Sequence, residues 1–116
     1  MNKITTDAIE WIKNYFKTTN GRKAVIGISG GKDSTVAAAL CVEALGKENI
    51  IGVMMPNGVQ SDIKDSEKII DFLGIKGLVV NIQYAYMNLV NQINEKNISS
   101  QAQINMPPRL RMTVLY

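Results

Sequence analysis

Residues 27–34 read Gly27-Ile28-Ser29-Gly30-Gly31-Lys32-Asp33-Ser34, between the apolar run Ala24-Val25-Ile26 and the helix-forming run Thr35-Val36-Ala37-Ala38-Ala39-Leu40. A strand that turns through a serine and paired glycines into a helix aims backbone N–H groups, and the positive end of the helix dipole, at whatever lies above the turn. The stretch therefore predicts a phosphate site. Two well-known loops are excluded. G-x-x-x-x-G-K-[ST] needs glycine at 26 and a hydroxyl at 33, where the chain has Ile26 and Asp33, and G-x-G-x-x-G has no match over residues 27–31. What remains is a row of donors able to hold a pyrophosphate, with Asp33 as a carboxylate for a hard cation such as Mg²⁺ bound to it. The competing reading is a tight turn in which Asp33 and Ser34 cap the helix, but a cap does not need two adjacent glycines after a serine.

Outward from the loop, strand and helix signals alternate. Thr5, Thr6 and Asp7 read as caps of a first helix, which carries Ala8, Ile9, Trp11, Ile12, Tyr15 and Phe16 at helical spacing and stops at Gly21. Trp11 and Phe16 are expected in the core. Strands are predicted at residues 23–28, 50–55 and 78–82, and helices over 33–45 up to Gly46, from Asp62 onward, and along Tyr86, Met87, Val90 and Ile93. The strand starts leave room for a helical crossover each time, and the nearly continuous apolar strands are those of parallel sheets covered on both faces. The prediction is an α/β fold, an open twisted parallel sheet with helices on both faces. Ligands bind such sheets beyond the carboxyl ends of the strands, so the loop at 56–61 neighbours the phosphate loop. Asn57 and Gln60 are there either to recognise a base or ribose or as ordinary turn residues.

Composition sets bounds. At 116 residues and 46% hydrophobic, the chain makes one domain at most. Thirteen basic against ten acidic residues give a net charge of +3, which demands no nucleic acid partner. No stretch reaches the about 20 apolar residues of a membrane span, no signal-peptide core follows Met1, and the protein reads as cytoplasmic. The single cysteine, Cys41, sits in an apolar run and reads as packing, and with no histidine in the sequence, Cys–His and Ser–His pairs and the usual zinc sites are unavailable. The acids Asp62, Asp65 and Glu67 suit a helix start electrostatically.

Residues 96–106 lack periodicity and read as a polar, mobile connection, with Pro107 and Pro108 opening a final helix. Arg109 and Arg111 would then stand in its first turn, where cations oppose the helix dipole and an anion is expected.

Two motifs carry a family resemblance. SGG-x-DS after a strand resembles the PP-loop of the ATP pyrophosphatases, which cleave ATP to AMP and pyrophosphate. Asn105, Arg109, Arg111 and Met112 form an N-x-x-x-R-x-R-M segment that resembles the NAD synthetases. With the amphipathic first helix and a second strand ending in Met55-Pro56, the resemblance runs along the whole chain. It points to the ammonia-dependent NAD synthetases, and so to an adenine nucleotide alpha-hydrolase-like, Rossmann-like fold.

The resemblance implies an enzyme that amidates deamido-NAD with ammonia and ATP through an adenylate, giving NAD, AMP and pyrophosphate. It implies that Gly27, Ile28, Ser29, Gly30, Gly31, Lys32, Asp33 and Ser34 bind the ATP phosphates, that Lys32 and Asp33 serve catalysis, and that Asp33 ligates Mg²⁺. Arg109, with Arg111 as companion, would contact deamido-NAD. A homodimer is expected of the full-length family. The chain stops at Tyr116 inside an apolar helix without a stop signal, so residues 1–116 are expected to be the N-terminal part of one synthetase domain, able to bind phosphate but not to make NAD. No glutaminase domain precedes residue 1, which points to free ammonia. The alternatives are another PP-loop enzyme, of GMP synthesis or tRNA modification, and a non-catalytic nucleotide-binding module.

Overall fold

Three short strands, β1 (Ala24–Gly27), β2 (Ile50–Met54) and β3 (Lys76–Val79), lie parallel in the order β1-β2-β3. The computed structural model describes residues 2–58, 63–93 and 99–116, the side chains of residues 100 and 101 excepted. Ala24 stands opposite Ile50 and Gly27 opposite Val53, while Ile51 faces Lys76 and Met54 faces Val79. The third strand begins two residues before the predicted 78–82, because Lys76 and Gly77 carry no apolar signal. Beyond Val79 the ladder still continues: the Val80 N–H donates to the Met54 carbonyl and the Ile82 N–H to that of Pro56, each at 2.8 Å.

The helices are α1 (Lys3–Thr19), α2 (Lys32–Leu45), α3 (Ile63–Leu73), α4 (Gln83–Ile93) and α5 (Ser100–Leu115), with a 3-10 turn at Lys47–Asn49. Helices α2 and α3 are the crossovers between neighbouring parallel strands, so right-handed connection puts both on one face. There they bury Ala24, Ile28, Ala38, Ile50, Met54 and Ile70. Paired glycines let α3 approach closely. A Cβ on Gly52 would lie 3.3 Å from Ile70 Cδ1, and one on Gly77 would lie 3.1 Å from Ile70 Cγ2.

The opposite face is covered only in part. Leu115 of α5 lies against Gly27, and Val53 is buried. Val25 and Leu78 on that face remain 47% and 43% exposed.

Helix α1 starts one turn before Thr5, Thr6 and Asp7: Asn2 is its cap, and Asn2 Oδ1 accepts the Thr5 N–H at 2.8 Å. Its left-handed end residue is Asn20, at φ 59°. Gly21 serves space instead of conformation, since a Cβ there would lie 2.7 Å from Phe16 Cδ1. Phe16 packs on the core margin as expected, but Trp11 does not. Trp11 is 65% exposed, stacked on Tyr15 with centroids 5.3 Å apart. At 3.6 residues per turn, positions 11 and 15 share a stripe opposite that of Ile9 and Phe16.

The largest correction concerns α5. Residues 99–106 are not a connection: Ser99 caps the helix, its Oγ accepting the Ala102 N–H at 3.1 Å, and Pro107 and Pro108 lie inside it. Residues 96–98 lie outside the described residues. Interior prolines cost a helix about 3 kcal/mol. That cost is opposed here by anchoring of the later turns, through Leu115 against Gly27 and Arg111 on the Met55 carbonyl just past β2.

Candidate functional site: a phosphate loop at the strand ends

Ile28 extends β1 by one residue, its N–H donating to the Val53 carbonyl at 2.9 Å. The chain then turns. Gly30 adopts φ 87°, which glycine takes without Cβ strain, and Gly31 is the N-cap of α2. Gly31 supplies no side-chain hydrogen bond to the helix start, so the competing reading of Asp33 and Ser34 as caps does not describe this turn. An uncapped start leaves the first helical N–H groups and the dipole directed at the space above.

Within the loop the serine hydroxyls hold the backbone. The Ser29 N–H donates to Ser34 Oγ at 3.3 Å, and the Gly31 N–H to Ser29 Oγ at 3.2 Å. The two hydroxyls pair at 3.2 Å, and Ser34 Oγ donates to the Gly31 carbonyl at 3.3 Å. Thr35 closes the turn, its hydroxyl donating to the same carbonyl at 2.7 Å. These bonds occupy the Ser29 and Gly31 N–H groups within the loop, and a phosphate oxygen there would take the place of a serine hydroxyl.

Beside the loop lies a cleft of about 300 Å³. Gly27, Ile28 and Ser29 form one wall, Met54, Met55 and Pro56 a second, and Ile63, Ser66 and Arg111 close it. It sits beyond the carboxyl ends of β1 and β2, where a parallel sheet places its ligands. Arg111 reaches it from α5, its Nε donating to the Met55 carbonyl at 2.8 Å.

The structure does not gather every residue singled out by sequence. Lys32 and Asp33 stand exposed in the first turn of α2, beside the loop. Arg109 is exposed and turned back on its own helix, Nη1 donating to the Asn105 carbonyl at 3.1 Å. Both arginines lie well inside α5, beyond its second turn, so the argument from a first-turn cation fails. Asn57 is not among the cleft's lining residues, and Gln60 lies outside the described residues. Neighbouring Gly58 is tied down by Asn81, whose Oδ1 accepts the Gly58 N–H at 3.1 Å and the Gln83 N–H at 2.9 Å.

Among the described residues no cluster of three or more His, Cys, Asp or Glu side chains could hold a metal. A cation here would have Asp33 as its protein carboxylate and take its other oxygens from a phosphate ligand. That donor set suits Mg²⁺, which is commonly bound by one or two carboxylates plus substrate phosphates. Burial pushes the Cys41 thiol above its ordinary value, which disfavours the thiolate that a nucleophile needs. Sequence reasoning missed Ser66. Its one signal was a serine at the helical spacing of Ile63, Ile70 and Leu73.

A strand, an uncapped glycine turn and a helix at the head of a parallel sheet define an α/β protein with a candidate phosphate loop. The NAD synthase family model matches residues 4–116, and the chain belongs to that family. It is 41% identical over 109 residues to the NH(3)-dependent NAD(+) synthetase of Pyrobaculum aerophilum, covering 91% of this chain and 41% of that one. The structure of the NH3-dependent NAD synthetase of Campylobacter jejuni, solved with a nitrate ion, superposes with a TM-score of 0.90 at 29% identity, covering 100% of this chain and 51% of that one. An NMN synthetase from Francisella tularensis superposes with a TM-score of 0.85, also at 29% identity, covering 97% and 47%. The chain thus spans about half the length, or less, of these relatives.

Proposed function

We propose that the chain belongs to an ATP-dependent ligase that amidates deamido-NAD with ammonia. The observation that carries the reading is the phosphate loop at the head of the sheet in a chain matched over residues 4–116 by the NAD synthase family. The names of the relatives support ammonia as nitrogen donor. Family membership also favours this reading over GMP synthesis and tRNA modification.

The chemistry fits the parts present. A carboxylate is a poor electrophile, so the nicotinate oxygen attacks the α-phosphorus of ATP, forming a P–O bond and releasing pyrophosphate. Ammonia then adds to the carbonyl carbon of the adenylate, loses a proton, and displaces AMP. Negative charge gathers on the departing pyrophosphate, and the loop N–H groups over residues 29–34, with Lys32, would meet it. Asp33 would hold Mg²⁺, which when bound supplies further charge neutralisation on the phosphates. Arg111 lines the cleft and is assigned with Arg109 to deamido-NAD. The reading extends to a homodimeric, cytoplasmic enzyme with residues 1–116 in one synthetase domain. Among the described residues, no helix is long and apolar enough to cross a membrane.

The test is calorimetric binding of pyrophosphate and ATP to the chain, with and without Mg²⁺, and NAD formation by the enzyme from deamido-NAD, ATP and ammonium. Asp33→Asn is expected to abolish the Mg²⁺-dependent part of both. Failure to bind either phosphate ligand overturns the reading. The likeness to an NMN synthetase favours, as a second reading, the same amidation of the mononucleotide, so that substrate is assayed alongside.

A further inference from the structure

Ser66 stands alone as a buried polar side chain among the described residues, at 2% exposure. Its helical neighbours on the same stripe are Ile63, Ile70 and Leu73, so the pattern calls for an apolar residue where the chain has a hydroxyl. A hydroxyl turned into a core costs about 1–3 kcal/mol unless it is bonded. Ser66 Oγ is bonded: it donates to the Ile28 carbonyl at 3.2 Å, across 38 residues of sequence.

The partner atom gives this bond its meaning. The Ile28 carbonyl and the Ser29 N–H belong to one peptide group, which is trans and planar, so the two point in opposite directions and fixing one fixes the other. Ile28 is also held through its own N–H by Val53 on β2. The bond from α3 therefore sets the rotation of the peptide at which strand becomes loop. That peptide carries the first N–H of the phosphate loop, the one that donates to Ser34 Oγ.

We propose that Ser66 is a positioning residue that aims the Ser29 N–H and thereby sets the affinity of the loop for pyrophosphate. This rests on the phosphate-loop reading above. Without the hydroxyl the Ile28 carbonyl is left buried without its donor, and the peptide is free to rotate toward another. The Ser29 N–H then swings away from Ser34 Oγ, the position a phosphate oxygen would take, while the hydrophobic packing of α3 persists through Ile63, Ile70 and Leu73.

The test compares wild type, Ser66→Ala and Ser66→Thr by pyrophosphate calorimetry with Mg²⁺, and by hydrogen exchange of the Ser29 amide. Ser66→Ala is expected to bind about threefold to tenfold more weakly, the scale of one hydrogen bond, with cooperative unfolding retained and faster Ser29 exchange. Ser66→Thr, which keeps the hydroxyl, is expected to restore both. Wild-type affinity in folded Ser66→Ala overturns the inference. Should the alanine variant not fold, Ser66→Cys, similar in size and a weak donor, takes its place under the same criteria. A wild-type chain that binds no pyrophosphate refutes the phosphate reading instead. The exchange measurement then decides alone: an unchanged Ser29 rate in the variant overturns the positioning role, and a faster one supports it.

Discussion

Helices α2 and α5 begin in opposite ways. At α5 the Ser99 hydroxyl seals the helix start by accepting the Ala102 N–H at 3.1 Å, and Ser99 takes no part in lining the cleft. At α2 the cap is Gly31, which brings no side chain at all, and the loop before it runs along the cleft wall. A helix closed by its own residue is finished locally. One opened by glycine keeps its N-terminal charge for a ligand, at the expense of the stability that a cap contributes.

The comparison is broken most severely by giving α2 a cap of its own. Gly31 has φ −83°, and a Cβ there would sit 3.4 Å from Ser29 Oγ, so a side chain fits. Gly31→Asp is expected to leave thermal stability unchanged, or raise it by about 0.5 kcal/mol through capping and the dipole. Pyrophosphate affinity should fall more than about tenfold, because a fixed carboxylate competes for the N–H groups and repels the ligand. Equal affinity in the variant would show that the loop is not the anion site.

The two arginines of α5 sharpen the contrast from the other side. Arg111→Ala removes the donor to the Met55 carbonyl and is expected to cost about 1.5 kcal/mol in urea denaturation as well as raising the KM for deamido-NAD. Arg109→Ala, at an exposed position, should stay within about 0.5 kcal/mol of wild type and act on the KM for deamido-NAD instead. Reversal of that pattern would exchange the roles assigned to them.

Smaller still is the effect of unsealing α5. Ser99→Ala should cost about 1 kcal/mol of stability and leave pyrophosphate binding untouched. The smallest effect concerns Cys41 on α2, whose thiol burial holds above the ordinary range. Because the folded-state value is raised, this contribution to stability is complete below the unfolded-state pKa and is lost as pH rises through the folded one. Cys41→Ala is accordingly expected to flatten the alkaline end of the urea midpoint against pH, and alkylation of the native thiol should be slower than that of the unfolded chain.

These two helix starts also mark what the sequence could reveal. The turn at residues 28–31 was legible because glycine and serine act through local backbone chemistry, and the order of strand, loop and helix follows from residues adjacent in the chain. The start of α5 was misread because Pro107 and Pro108 are a stronger local signal than Ser99, while the contacts that carry the helix through them come from Met55 and Gly27, more than fifty residues away. Trp11 was placed in the core on residue type, although its stripe is shared with Tyr15 and not with Ile9. Ser66 was invisible for a related reason. Nothing near it in sequence indicates that its partner is a carbonyl at the end of β1.

The glycine pair at 52 and 77 lies within the sheet, away from the cleft lining, yet through Ile70 and Ser66 it would set how tightly the loop is gripped. Ile70 seats where those two side chains are missing, and Ser66 lies one turn earlier on the same rigid rod. Lifting Ile70 by the width of a methyl group would lift Ser66 with it and loosen its hold on Ile28. A variant at either glycine would then present in a screen as a nucleotide-affinity defect, and the distance between helix and sheet works as a calibration of the loop.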